Sequence, residues 1–238
     1  MKDHAKVKTI AFAILTITVF LMVQSVSAVT PPYTYGGADQ SKNGNAGVET
    51  TQITMSEGKF RMKGWAGAAG AVGYGLADSW GYFGIYATAT QSRTIHAFTT
   101  VAYDGAIYMQ AVLYWFGWAR AGAWVRQIIR VYDTSDWHLV TSNTYWVYSQ
   151  TVNSGIPFIP STAERVFDGT RDKFGISVDF TATSGRTYAI EVFVEAQCAC
   201  DGAGLAQSNS MCTFWGPTQG YPNIIGYVKV QEISWNYL

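Results

Sequence analysis

Few residues of this chain have side chains that ionise, attack or ligate at useful spacing. After residue 28 it keeps two histidines, His96 and His138, and three cysteines, Cys198, Cys200 and Cys212. Glu191 and Glu195 are the carboxylate pair to weigh for glycosidic hydrolysis. Four residues apart on one extended strand, they stand about 13 Å from each other, beyond the separations that retaining or inverting hydrolysis uses. They read as solvated acids on an outer face. Neither histidine belongs to an H-E-x-x-H pair, and no serine sits in a G-x-S-x-G elbow. "DTSD" at 133–136 and "DGTRD" at 168–172 carry oxygens for calcium, but the same residues are ordinary turn formers. The expectation is a chain with no catalytic residues, no metal centre and no cofactor, calcium at these turns being the one ion left open.

Aromatic side chains give the stronger binding signal. In "AIYMQAVLYWFGW" alternation puts Tyr108, Tyr114, Phe116 and Trp118 on one face, and in the next run Trp124, Arg126 and Arg130 share a face. If the two runs form a hairpin through "ARAG" at 119–122, these faces make a flat aromatic platform edged with guanidinium groups. Such a platform stacks on sugar rings or anchors a protein hot spot. The competing reading of the same face is a core between two sheets, with the arginines reaching out at its rim.

Export decides what the cysteines can do. "MKDHAKVK" followed by the apolar "TIAFAILTITVFLMV" and the small residues of "QSVSA" forms a signal peptide over 1–28, cleaved after Ala28. Its apolar run is short for a membrane span. Losing three lysines and one aspartate from a balanced 16 and 16 leaves a net charge of −2, which disfavours a nucleic-acid partner. Outside the cell disulfides persist. Cys198 and Cys200 share the inner face of their strand with Val192 and Val194, and a loop "DGAGLAQSNSM" would let Cys200 bridge to Cys212, leaving Cys198 unpaired.

The elements that must position these residues are strands. Residues 29–47, rich in Pro, Gly and Asn, read as a flexible arm, and 48–238 as one domain. Within it, about ten strand-like runs are separated by turns such as "YDGA", "FDGT" and "TSGR". In 173–180, Phe174, Ile176, Val178 and Phe180 alternate with Lys173, Gly175, Ser177 and Asp179, so one face is buried and the other wet. From Tyr188 onward the same rule turns Ile190, Val192 and Val194 inward, with Phe193 an apolar exception outside. No stretch after the signal peptide keeps a helical period. The glycine-rich run at 64–84 is too short and proline-free for collagen and too glycine-rich for a membrane helix. Its small side chains suit close backbone approach in a strand, loop or interface.

The fold class expected is all-β, an antiparallel two-sheet β-sandwich of jelly-roll type. The function expected is a secreted, non-catalytic module, extracellular or at the cell surface. It would bind a glycan, or else a surface protein, through the aromatic and arginine face. It would meet a membrane only through its signal peptide during export. The alternatives are a self-associating subunit of an extracellular filament or surface layer and, third, a polysaccharide hydrolase.

Overall fold

The computed structural model describes residues 27–70, 72–216 and 225–238, with the side chains of 49–52 left aside. All but the last two residues of the expected signal peptide lie outside the described residues. Eleven strands make up most of the described chain. They are β1 (Ser27–Val29), β2 (Tyr35–Gly44), β3 (Ala46–Thr54), β4 (Lys59–Ala69), β5 (Val72–Thr88), β6 (Thr94–Asp133), β7 (His138–Asn153), β8 (Ser161–Phe167), β9 (Lys173–Thr181), β10 (Thr187–Phe214) and β11 (Tyr227–Tyr237). Every pairing is antiparallel, and the expected β-sandwich forms.

Its two layers are a single sheet folded double. In the first layer the order runs β2, β5, residues 187–203 of β10, residues 118–133 of β6, then β7. In the second it runs β3, β4, residues 206–213 of β10, residues 105–113 of β6, then β8. Each strand of the first layer thus continues, directly or through a short turn, into the strand lying beneath it. Farther from the fold line β11 takes the place of β10 between β4 and β6, and β9 flanks β6 on its other side.

The fold line, or crease, crosses the chain near residues 45, 70, 116, 157 and 205. Four glycines beside it, Gly44, Gly70, Gly117 and Gly204, have positive φ, the conformation that lets a strand turn out of its plane at little cost. Gly117 and Gly204 are direct cross-strand partners next to a bulge. A Cβ on Gly117 would run into the Ala203 carbonyl, and one on Gly204 into the Phe116 carbonyl. The two longest strands therefore bend at the same rung.

Because the layers diverge from the crease, the core is thin there and thick at the other end. Near the crease its inward side chains are small: Ala66, Ala68, Ala121, Ala123, Cys198 and Cys200. At the open end it is filled by rings, with Phe60 5.8 Å from Phe83 and Tyr103 6.1 and 6.0 Å from Phe167 and Phe214. This taper explains the glycine-rich run at 64–84, which supplies the end of β4, the turn and most of β5. Gly67 N–H donates to the Asn45 carbonyl at 3.0 Å across the narrow end, an approach that larger side chains would block.

Three expectations need correction. Residues 29–47 are not a free arm: 35–44 pair along β5 from Gly84 to Gly75, because an edge of the first layer offers its backbone groups to them. "ARAG" makes no hairpin, since β6 runs through it without a break and turns instead at 114–117. The Cys200–Cys212 bridge does not form, and all three cysteines are free and buried. The supposed loop between them is continuous strand, and folding β10 at Gly204 sets Cys212 against Cys198 and the Gln197 carbonyl instead. Cys200 Sγ donates to the Ala66 carbonyl at 3.2 Å, and burial pushes its thiol up to about 12.

Candidate functional site

Folding a sheet in half keeps one face inside throughout and turns the two halves of the other face to opposite sides. The alternation read from the sequence put even-numbered β6 residues on one face, and they do share it. The crease then divides them. Tyr108 and Tyr114 belong to the second layer, where Tyr114 Oη–H donates to Gln207 Oε1 at 3.0 Å. Phe116 and Trp118 sit at the crease and are exposed. Trp124, Arg126 and Arg130 stand on the outer face of the first layer. The seven residues do not form one flat platform.

The outer face of the first layer carries a platform of its own, made with partners from neighbouring strands. Arg126 pairs with Glu195 at 2.6 Å, and its guanidinium lies 4.9 Å from the Trp124 ring and 5.6 Å from that of Trp146. Arg130 lies 4.0 Å over Phe193, which accounts for an apolar residue on this face, and reaches Glu191 at 3.4 Å. Stacking between planar guanidinium and ring holds both in place.

Closer to the crease this face opens into a depression of about 260 Å³. The floor is made by Gly122 of β6 and Ala199 of β10, which are direct cross-strand partners and leave space above them. Trp124, Tyr74 and Thr151 stand around it, together with Gln197 and the Arg120–Asp201 pair. Arg120 grips Asp201 with two bonds, Nε to Oδ1 at 3.0 Å and Nη2 to Oδ2 at 2.5 Å. Trp124 Nε1–H donates to Gln197 Oε1 at 2.8 Å, which holds the ring beside the floor. Two aromatic walls with a planar cation, a carboxylate and an amide suit a ligand with an apolar face and a rim of hydroxyls.

Behind the depression lies a pair of acids. Asp78 of β5 is the direct cross-strand partner of Gln197, its Oδ1 is buried without a hydrogen-bond partner, and burial, with repulsion from Glu195 next, raises its carboxyl to about 6. Burial also raises Glu191 above the usual carboxylate range, against the pull of Arg130. Asp78 is the partner on another strand that the sequence could not name for Glu195. Glu195 itself is held by Arg126, whose guanidinium lies 2.6 Å from its Oε2.

The remaining candidates have local tasks. His96 Nδ1 lies 2.6 Å from Asp179 Oδ1 on adjacent strands, and His138 pairs with Asp136 in its own turn. In the two acidic turns, Asp133 accepts from Ser135 and Arg186, Asp168 from Thr170, and Asp172 from Arg165. Among the described residues no three His, Cys, Asp or Glu side chains converge as a metal would require. Sequence reasoning missed Tyr74, Arg120, Gly122, Thr151, Gln197, Ala199 and Asp201. Alternation alone puts Gln197, Ala199 and Asp201 on the face of Glu191 and Glu195, but only strand register brings Ala199 beside Gly122.

No family model matches the chain, and no curated protein matches it. Among solved structures it is similar to TmCBM27, a carbohydrate-binding module described for specific mannan recognition. The identity is 9%, the TM-score 0.28, and the match covers 91% of this chain and 98% of that one. It is similar also to the C-terminal CBM6 of LamC from Zobellia galactanivorans, at 10% identity, TM-score 0.24 and coverage of 89% and 99%. A third is the enzymatically active domain of tailspike protein 4 of bacteriophage CBA120, at 9% identity and TM-score 0.27; the match covers 86% of this chain and spans about one fifth (20%) of that one. At these identities and TM-scores the likenesses carry no inference about ligand or activity.

Proposed function

We propose that the chain is a secreted, non-catalytic module that binds carbohydrate in the depression of the first layer. The observation that carries this reading is the pairing of a small-residue floor, Gly122 and Ala199, with the Trp124 and Tyr74 walls and the Arg120–Asp201 and Gln197 polar groups. A pyranose ring offers an apolar C–H face to an aromatic side chain and equatorial hydroxyls to paired donors and acceptors. The pairing of Glu191 with Arg130 and of Glu195 with Arg126 supports binding over hydrolysis. The filament alternative could draw on the glycine-rich run, an exposed strand edge or a free arm at 29–47, and the β2–β5 pairing takes up the arm.

The test is a polysaccharide and glycan-array screen of residues 29–238, followed by titration of the best ligand against Trp124→Ala and the floor-filling Ala199→Leu. Each variant is expected to weaken binding by tenfold or more, about 1.4 kcal/mol, while Tyr108→Ala on the opposite side leaves it unchanged. Absence of any glycan binding by the folded chain, or wild-type affinity in both pocket variants, would make the reading wrong.

A further inference from the structure

The crease end of the molecule carries no charge. The stretches 43–48, 66–77, 106–119, 151–163 and 202–214 meet there or lead into it, and none contains Asp, Glu, Lys or Arg. On four of the five turns the side chains are large, apolar and exposed, Ile159 among them, whereas the β2–β3 turn is Gly44, Asn45 and Ala46. Val72 is 85% and Trp115 71% exposed, and Phe116, Ile156, Phe158 and Leu205 also stand out to solvent. They form one row: Val72 pairs with Ala203 beside Leu205, Ala203 pairs with Trp118, and Phe158 N–H donates to the Leu113 carbonyl at 2.7 Å. Across four strand positions, β5, β10, β6 and the β7–β8 turn, the row is about 15 Å long. A contiguous exposed apolar row of that size marks an interaction site.

Behind the row polarity rises in steps. First come Tyr74, Tyr114 and Trp118, amphipathic side chains partly out to solvent. On β6 and β10 the first charges behind them, Arg120 and Asp201, neutralise each other, while on the edge strand β2 the exposed Lys42 stands as near to the crease. Apolar tip, aromatic belt, then closed ion pair is the order of polarity met in going from the acyl region of a bilayer out through its headgroups. A protein partner would ask for matched shape and paired hydrogen bonds, whereas separate turn tips without charge ask only for a soft apolar medium.

We propose that the crease is a bilayer-docking edge that seats Trp115, Phe116, Ile156 and their neighbours at the boundary between headgroups and acyl chains. This departs from the sequence-based expectation of membrane contact only during export, and it stands independently of the glycan reading. Since no cation lies on the row, uncharged phosphatidylcholine suffices as the surface, and the attraction is hydrophobic.

The experiment is flotation of residues 29–238 with phosphatidylcholine vesicles containing no glycolipid, with and without bromine-labelled acyl chains. The wild-type chain is expected to float with the vesicles, to lose tryptophan emission to the bromines, and to do so equally in low and high salt. Trp115→Ser with Phe116→Ser, and separately Ile156→Ser with Ile159→Ser, are expected to lower partitioning by about tenfold each. These exposed substitutions leave the core intact, which an unchanged thermal transition verifies. Failure of the wild type to float, or flotation of both variants as strong as that of the wild type, overturns the proposal. So does a lipid-free dimer that the same substitutions dissociate, because a second copy then covers the row. Glycan affinity measured on the same proteins without vesicles reads the depression alone, so the two proposals fail separately.

Discussion

Asp78 is a residue on which pH acts directly. Its carboxyl titrates near 6 in the folded protein, above its usual 3.8, because burial and Glu195 disfavour its charge. A raised acid binds its proton more tightly in the folded than in the unfolded chain. Its contribution to stability is therefore full below about pH 4 and is lost as pH rises through 6. Asp78→Asn, neutral at every pH, is expected to raise stability at pH 7.5 by about 1 kcal/mol after allowance for solvent screening. The gain should fade toward pH 4; denaturant titrations of both proteins across that range check it, and a gain that grows in acid would contradict this account. At this scale the sequence was legible where alternation decides: Cys198 and Cys200 point inward and Glu191 pairs with Arg130 on the outer face, but Glu191 and Glu195, expected to be solvated, are buried in their arginine pairs. It was not legible where partners come from distant strands. Asp78 and Glu195 are far apart along the chain, and nothing local to either announces the other.

Strands were readable as elements, and their ends were not. Turn residues such as "TSGR" mark a true strand boundary, whereas the glycines of "GWARAG" and "CDGAGL" look like boundaries and instead mark bends within β6 and β10. A positive-φ glycine serves a hairpin or a bent strand equally well, and only the pairing of Gly117 with Gly204 tells them apart. Gly117→Val would force a side chain against the Ala203 carbonyl in a backbone conformation that valine avoids. A loss of 2 kcal/mol or more is expected in urea titration, against less than about 0.5 kcal/mol for Gly155→Ala in the open turn between β7 and β8, where a Cβ meets nothing. Equal costs at the two positions would show that the crease is not held by its glycines.

For the whole molecule, β6 and β10 thread both layers, so neither layer has a set of strands to itself. Separating the layers means breaking the ladders of these two strands, and the protein is expected to unfold in one step. Far-ultraviolet and near-ultraviolet dichroism should follow one denaturation curve, and amides at 107–111 should exchange with the same opening free energy as those at 121–131. A second transition confined to either segment would show two independent units. Composition and period gave the all-β class, but the doubled sheet depends on long-range register that no local pattern holds.

The crease also fixes orientation. Because the outer faces of the layers lie on either side of the fold line, a molecule standing on that line would carry its depression on an upright wall, opening sideways. What such a wall meets first is a polymer lying along the supporting surface, and a chain growing straight up would pass it by.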